Sequence, residues 1–95
     1  MIPVVTIVVP VKDEEEAVTP FVARVSAVLD HIGEPWEILF VDDGSSDATL
    51  AAIMAANAKD ARICALSLSR NFGKEAALSA GLDHARGAAV IPIDV

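Results

Sequence analysis

The stretch EILFVDDGSSDAT, residues 37–49, decides the fold. Its residues 38–41 are apolar without interruption, and two acids, a glycine and two serines follow them directly. An extended segment that is apolar on both faces is typical of a parallel sheet covered by helices on both sides. Ligands of such sheets bind at the carboxyl ends of the strands, so Asp42 and Asp43 stand where a functional site is expected.

Three further runs have the same character. They are rich in Val and Ile and cover residues 4–9, 63–68 and 88–93. The segments between the runs have helical spacing, so the predicted order is β-α-β-α-β-α-β. Because crossovers between parallel strands are right-handed, this order predicts an α/β fold with a Rossmann-like parallel four-stranded sheet flanked by helices.

Each predicted helix has its own local signals. In the first, apolar residues recur every three or four positions over 18–32, and Gly33 suits the residue that follows a helix. Ser46 is expected to cap the second helix. The third helix is predicted over residues 74–86 with Gly87 as its stop, and its small residues would let it lie close to the sheet.

The composition limits the classes of function. The chain has 95 residues, of which 54% are hydrophobic and 22% charged, and its net charge is −7. An acidic chain without a basic cluster argues against nucleic acid as a partner. A single cysteine, Cys64, excludes a disulfide within the chain, and its apolar neighbours predict a buried thiol. No apolar run approaches the ~20 residues needed to span a bilayer, so we expect a soluble, cytoplasmic polypeptide.

Acids at the strand ends indicate the chemistry of the site. The first strand ends in VPVKDEEE, residues 9–16, which lacks the glycines of a dinucleotide-binding loop, so an NAD or FAD site is not expected. Successive strand residues point to opposite faces, so one of Asp42 and Asp43 can face a cleft while the other braces the turn. A cleft-facing carboxylate can accept the imino N–H of uracil or guanine, or bind a metal. An Asp-Gly turn with a helix cap and no ligand explains the same residues.

The third and fourth strands add charged residues at the same edge of the sheet. Lys74 follows the third strand, where a cation near a ligand and a solvated lysine are both possible interpretations, and Asp94 ends the fourth strand. Hard cations such as Mg²⁺ and Mn²⁺ bind carboxylate oxygens together with substrate phosphates. The layout therefore suits a nucleotide diphosphate held through a metal.

Four segments together resemble a known family. They are IVVPVKDEEE (residues 7–16), EILFVDDGSSDAT (37–49), LSRNFGKEAALSAGLDHARG (68–87) and VIPIDV (90–95). They resemble the family 2 glycosyltransferases of GT-A fold, and within these they look most like the bacterial bactoprenol (undecaprenyl-phosphate) glucosyltransferases and the dolichyl-phosphate mannosyltransferases. The resemblance implies that residues 1–95 are the N-terminal nucleotide-binding portion of a GT-A domain, truncated within its D-x-D motif.

The resemblance also implies which residues bind the nucleotide sugar. Pro10 and Glu14 match a P-x-x-x-E loop that lines the nucleotide. Val41 and Asp43 match positions that hold the base, and Asp43 would accept its imino N–H. Lys12 lies in the same loop and belongs to the expected binding set, although many relatives have Tyr or His at its position.

The resemblance assigns the metal site to the end of the chain. Asp94 matches the first acid of the D-x-D motif, so it is the expected catalytic residue and the expected ligand of Mg²⁺ or Mn²⁺. Val95, the middle residue of that motif, belongs to the nucleotide-sugar-binding set. Asp13 departs from the pattern of relatives, which have Asn at its position.

The implied function is transfer of a hexose, glucose from UDP-glucose, to a polyprenyl phosphate. Enzymes of this kind act at the cytoplasmic face of the inner membrane and carry C-terminal transmembrane helices. The alternative is a non-catalytic nucleotide-sugar-binding or interaction fragment, and the 95-residue chain alone is expected to be inactive. A receiver-like signalling domain also has paired acids and a lysine, but its acid pair follows the first strand. Apolar surface beside an unpaired fourth strand would allow self-association.

Overall fold

The computed structural model describes residues 2–95, which fold into alternating strands and helices. The elements are β1 (Val5–Val11), α1 (Glu15–Ile32), β2 (Trp36–Asp42), α2 (Thr49–Lys59), β3 (Ile63–Ser67), α3 (Lys74–His84) and β4 (Ala89–Pro92). Every strand pairing is parallel, and the order across the sheet is β3-β2-β1-β4. The predicted α/β fold with a four-stranded parallel sheet is confirmed.

The strand order places a crevice beside β1. From β1 the chain steps outward through α1 to β2 and through α2 to β3, and α3 then returns it to β4 on the other side of β1. The direction of winding therefore reverses between β1 and β4. In open α/β sheets, the carboxyl ends of the strands at such a reversal form the ligand-binding crevice.

Helices cover both faces of the sheet, which is why β2 is buried along its whole length. The larger core lies between the sheet and helices α1 and α2, where the rings of Phe21 and Phe40 meet edge to face at 5.8 Å. The smaller core lies between the sheet and α3 and contains Val8, Val41 and Ala77. Strand residues therefore alternate between two apolar layers, as the unbroken apolar runs predict.

α3 lies close to the sheet because small residues face it. A Cβ atom on Gly81 would lie 2.5 Å from Val8 Cγ1 and 2.9 Å from Val41 Cγ2, so a larger residue has no room there. The prediction of close packing through small residues is confirmed. This packing brings Lys74, the first residue of α3, to the edge of the sheet where the strands end.

The helix ends follow the predictions only in part. Gly33 ends α1 with φ 85° and donates its N–H to the carbonyl of Leu29, as predicted. The prediction for Ser46 is wrong, because α2 begins at Thr49 and the Asp47 carboxylate accepts the Thr49 N–H at 2.9 Å.

None of the helices in residues 2–95 has the length and apolar character that crossing a bilayer requires.

The segment that follows α3 is held by a polar network around the buried Glu37. The helix ends at His84, two residues earlier than predicted. Glu37 is buried and accepts the Thr6 hydroxyl at 2.6 Å, the Arg86 backbone N–H at 3.0 Å and the Arg86 guanidinium at 2.9 and 3.1 Å. Gly87 donates its N–H to Thr6 Oγ1, and a Cβ on Gly87 would lie 2.6 Å from the Thr6 nitrogen. Gly87 is therefore required for close approach of the α3–β4 connection to β1.

The strand boundaries lie within two residues of the predicted ones. β1 continues two residues further than predicted, through Val11, because its backbone pairs with β2 as far as Asp42.

Cys64 lies on the outer strand β3 and is half-buried, so the prediction of a fully buried thiol is wrong. Its partial burial still raises the pKa of the thiol.

Candidate functional site

A pocket of about 380 Å³ lies at the carboxyl ends of β1, β2 and β4, at the reversal of winding. Its walls are formed by Pro10, Val11, Lys12, Glu14, Asp43, Lys74, Asp94 and Val95. Every predicted site residue except Val41 is in this set. The side chain of Val41 is fully buried in the core between the sheet and α3, so it does not line the pocket.

The two adjacent acids after β2 have different surroundings. The Asp42 carboxylate accepts the Ser45 N–H at 3.1 Å and so braces the turn. Asp43 lines the pocket, with 4% of its surface exposed, and accepts the backbone N–H groups of Phe72 at 2.8 Å and Gly73 at 3.1 Å. One acid faces the pocket and the other holds the turn, as the strand geometry predicts.

The turn that follows Asp43 fits tightly against the β3–α3 loop. Gly44 has φ 69°, and a Cβ there would lie 2.4 Å from the Asn71 nitrogen and 2.5 Å from the Arg70 carbonyl carbon. No side chain fits in that space without moving the backbone. The Asp43–Gly44 pair therefore fixes the position of the loop that leads into α3 and Lys74.

An ion pair crosses the mouth of the pocket. Lys74 Nζ lies 2.5 Å from Asp94 Oδ1, which joins the start of α3 to the residue that follows β4. Both side chains are exposed, at 66% and 73%. Because exposed pairs of this kind contribute only about 0–1 kcal/mol to stability, a ligand can exchange their partners at little cost.

The oxygen donors at the pocket fit a metal only as part of a shared site. Within residues 2–95, no group of three or more His, Cys, Asp or Glu side chains could hold a metal ion. Asp94 presents one exposed carboxylate at the pocket. Mg²⁺ and Mn²⁺ are commonly held by one or two carboxylates with substrate phosphates and water. The residues present therefore fit a cation bound jointly with a diphosphate, and Asp94 is the residue that would hold it.

The wall formed by the β1–α1 loop is organised by Asp13, a residue that the sequence did not indicate as important beyond its departure from the family pattern. Its φ is 53°, in the left-handed region. Its Oδ2 pairs with Lys12 Nζ at 3.0 Å, and its Oδ1 accepts the Ser46 N–H at 2.8 Å. The Lys12 ammonium, followed by the Ser46 N–H, lowers the pKa of the Asp13 carboxyl below its ordinary value. Asp13 therefore keeps its negative charge to a lower pH than an ordinary aspartate does.

Comparisons with known proteins agree with this arrangement. The sequence model described as "Glycosyl transferase family 2" matches residues 6–95. The chain is 50% identical over 91 residues to a bactoprenol glucosyl transferase of Shigella phage SfV, covering 96% of this chain and 30% of that protein. It is 37% identical over 91 residues to an undecaprenyl-phosphate 4-deoxy-4-formamido-L-arabinose transferase of Salmonella paratyphi A, covering 95% of this chain and 28% of that protein. The chain thus spans about 30% of the length of these relatives.

A solved structure has the same fold. A mannosyltransferase of Pyrobaculum calidifontis, determined in complex with GDP-Man and Mn²⁺, superimposes with a TM-score of 0.72 at 25% identity. The alignment covers 99% of this chain and 28% of that enzyme. The match over residues 6–95, together with these likenesses, shows that the chain belongs to glycosyl transferase family 2.

Proposed function

We propose that this chain forms the donor-binding part of an enzyme that transfers a hexose from a nucleotide sugar to a polyprenyl phosphate. The observation that carries the proposal is the pocket at the reversal of winding, where Asp43, Lys74 and Asp94 meet from three different elements. The family membership and the relatives named for transfer to bactoprenol and undecaprenyl phosphate support the reaction class.

The base of the nucleotide is proposed to lie against Asp43. Each carboxylate oxygen can accept more than one hydrogen bond, so Asp43 can accept an imino N–H while it holds Phe72 and Gly73. Uracil and guanine each offer such an N–H, whereas the corresponding nitrogen of cytosine is an acceptor. Pro10, Lys12 and Glu14 would form the opposite wall. UDP-glucose is the proposed donor, and a GDP-sugar is the alternative.

The diphosphate is proposed to lie near Lys74 and Asp94. Lys74 supplies a positive charge at the first residue of α3, and the N-terminal end of a helix also favours an anion. Asp94 would hold a divalent cation, which, when bound, would neutralise charge on the departing diphosphate. The bond between the anomeric carbon and the diphosphate breaks, and a phosphate oxygen of the acceptor forms the new bond. Because that oxygen is already anionic, it needs no general base from this chain.

The base assignment is tested by comparing UDP with CDP. The two carry the same diphosphate and ribose, and they differ at the atom that would face Asp43. Each nucleotide is titrated into the ¹⁵N-labelled chain, and the amide signals of the pocket residues are followed by NMR. The affinity obtained from these signals is expected to be at least about tenfold higher for UDP than for CDP. GDP tests the alternative donor. Equal affinity for UDP, GDP and CDP would overturn base reading by Asp43, and unchanged pocket signals would overturn the nucleotide site itself.

The reaction is tested in a polypeptide of the relatives' full length that carries residues 1–95. Transfer of labelled glucose from UDP-glucose to undecaprenyl phosphate is expected, and Asp94→Asn is expected to abolish it. Asp83→Asn is a matched control, because Asp83 is an exposed acid on α3 outside the pocket. Transfer by the Asp94→Asn variant at the control rate would show that Asp94 has no part in the reaction.

A further inference from the structure

The β1–α1 loop, which forms one wall of the pocket, and the β2–α2 turn, which follows Asp43, hold each other through reciprocal hydrogen bonds, which we call the loop clasp. Three consecutive backbone N–H groups of the β1–α1 segment donate to side chains of the β2–α2 turn and of Thr49, the first residue of α2. The pairs are Asp13 to Ser45 Oγ at 2.9 Å, Glu14 to Thr49 Oγ1 at 2.8 Å and Glu15 to Asp47 Oδ2 at 3.3 Å. Glu14 is the N-cap and Glu15 the first residue of α1, so two of these contacts satisfy N–H groups at the helix start that the N-cap side chain does not satisfy.

Asp13 supplies the return contacts of the loop clasp. Its Oδ1 accepts the Ser46 N–H at 2.8 Å, the Ser46 hydroxyl at 3.3 Å and the Asp47 N–H at 3.4 Å. One carboxylate oxygen on the first loop therefore holds two consecutive residues of the second loop. The residues it connects are separated by 33 and 34 positions in the chain.

The backbone of Asp13 has a conformation that is unfavourable for most residues. Its φ of 53° lies in the left-handed region, which costs a non-glycine residue about 1–2 kcal/mol. Asp tolerates this conformation better than most residues because its side chain bonds to nearby backbone. Strain of this kind persists where surrounding contacts hold it, and it is concentrated at functional sites.

Asp13 also orients a pocket side chain. Its second oxygen, Oδ2, accepts a hydrogen bond from Lys12 Nζ at 3.0 Å, and Lys12 lines the pocket. The following residue, Glu14, lines the same wall. Asp13 therefore connects the β1–α1 loop to the β2–α2 turn through Ser46, and it also orients the Lys12 ammonium at the pocket.

We propose that Asp13 is a positioning residue of the nucleotide pocket, which holds the Lys12–Glu14 wall in register with the Asp43 wall and directs the Lys12 ammonium. Its Oδ1 accepts hydrogen bonds from the β2–α2 turn, and its Oδ2 accepts a hydrogen bond from Lys12. Asn at this position would keep the acceptor for Ser46 and lose the negative charge for Lys12. The part of this proposal that concerns nucleotide affinity rests on the proposed function, whereas the loop clasp can be tested without a ligand.

Three variants separate the roles of Asp13. Asp13→Asn retains Oδ1 and removes the charge that holds Lys12. Asp13→Gly relieves the left-handed strain and removes every side-chain contact, so loss of binding in this variant cannot be attributed to strain. Asp13→Ala removes the contacts and keeps the strain. Asp83→Asn, an exposed acid outside the pocket, controls for the change in net charge.

The first measurement is amide hydrogen exchange of Ser46 and Asp47 by NMR, without nucleotide. Exchange at these two amides is expected to be at least about tenfold faster in Asp13→Gly than in the native chain, and close to native in Asp13→Asn. The second measurement is UDP affinity. It is expected to fall at least about fivefold in Asp13→Gly and Asp13→Ala, while the urea midpoint of Asp13→Gly changes little. Asp13→Asn is expected to lose about twofold to threefold in UDP affinity, as Lys12→Met does.

The outcomes decide between positioning and simple stabilisation. Native exchange at Ser46 and Asp47 in Asp13→Gly would overturn the loop clasp, whatever the ligand does. Faster exchange with unchanged UDP affinity in a folded variant would show that the loop clasp exists and does not position the pocket, which overturns the proposal. Failure of the native chain to bind UDP and GDP would instead count against the proposed function, and the exchange result would still stand.

Discussion

The carboxylate of Asp43, which follows β2, accepts the backbone N–H of Phe72, in the loop between β3 and α3, at 2.8 Å. Its other oxygen accepts the Gly73 N–H at 3.1 Å. Gly73 is the N-cap residue of α3, so these two hydrogen bonds attach the start of the helix to the residue that follows β2. One residue therefore lines the pocket and fixes the helix that carries Lys74.

Asp43→Asn is expected to affect both stability and binding. The amide replaces one acceptor oxygen with an N–H donor that meets the N–H of Phe72 or Gly73, so the free energy of unfolding should fall by about 2 kcal/mol. UDP affinity should fall about tenfold or more, because the imino N–H also loses its acceptor. Urea unfolding and calorimetry measure the two effects. Asp83→Asn is the control, and effects of equal size in the two variants would contradict both roles.

Gly44→Ala is expected to be more destabilising than Gly33→Ala. Both glycines have positive φ, so alanine at either site costs about 1–2 kcal/mol in backbone conformation. At Gly33 the added Cβ meets nothing within 4 Å, whereas at Gly44 it would lie 2.4 Å from the Asn71 nitrogen. The clash should add about 2 kcal/mol or more to the loss in free energy of unfolding. Urea midpoints that agree for the two variants would mean that the β3–α3 loop moves aside freely.

The fold could be predicted from sequence because each level of pattern agrees with the others. Runs apolar on both faces, separated by helical spacing, fit one arrangement, and Gly33 ends α1 by a purely local rule. The predictions of helix ends that were wrong concern residues that contact a part of the chain distant in sequence. Ser46 donates to Asp13, and Gly87 packs on Thr6, so neither marks a helix end.

The site could be predicted as far as the strand-end rule reaches. Asp43 and Asp94 follow strands, and parallel strands end at one edge, so their meeting at a pocket was expected. The loop clasp and the buried Glu37 network were missed because their partners are 31 to 49 residues apart in sequence. No local pattern indicates which distant backbone group a carboxylate will accept. The density of Asp, Ser and Thr in residues 45–49 was the only available signal for the loop clasp.

Lys74 and Asp94 are expected to contribute separately to nucleotide binding. Lys74→Met removes a cation near the proposed diphosphate position, so UDP affinity measured without metal should fall about threefold. Asp94→Asn removes the carboxylate proposed to hold the cation, so it should abolish any gain in UDP affinity on adding Mn²⁺. Calorimetry with and without Mn²⁺ measures both. Lys59→Met, an exposed lysine of α2, is the control, and an equal loss in that variant would attribute the effect to net charge alone.

Glu37 is expected to make the stability of the fold depend on pH. Burial by itself would raise the pKa of Glu37, but hydrogen bonds from the Thr6 hydroxyl and from Arg86 outweigh it and leave the pKa below its ordinary value. A carboxyl whose pKa is lowered by folding stabilises the folded state above its ordinary pKa of about 4.3, and this stabilisation is lost as pH falls through the lower folded value.

Glu37→Gln tests this dependence without changing the shape of the side chain. The amide cannot accept from all of the N–H groups around it, so the free energy of unfolding at pH 7 should be about 2 kcal/mol lower than in the native chain. Because other carboxylates titrate in both proteins, the informative quantity is the difference between them, which should shrink as pH falls from 7 to 3. Urea unfolding at several pH values measures it, with the exposed Glu16→Gln as the control. A difference that stays constant over this range would show that Glu37 stabilises the α3–β4 connection by its shape and not by its charge.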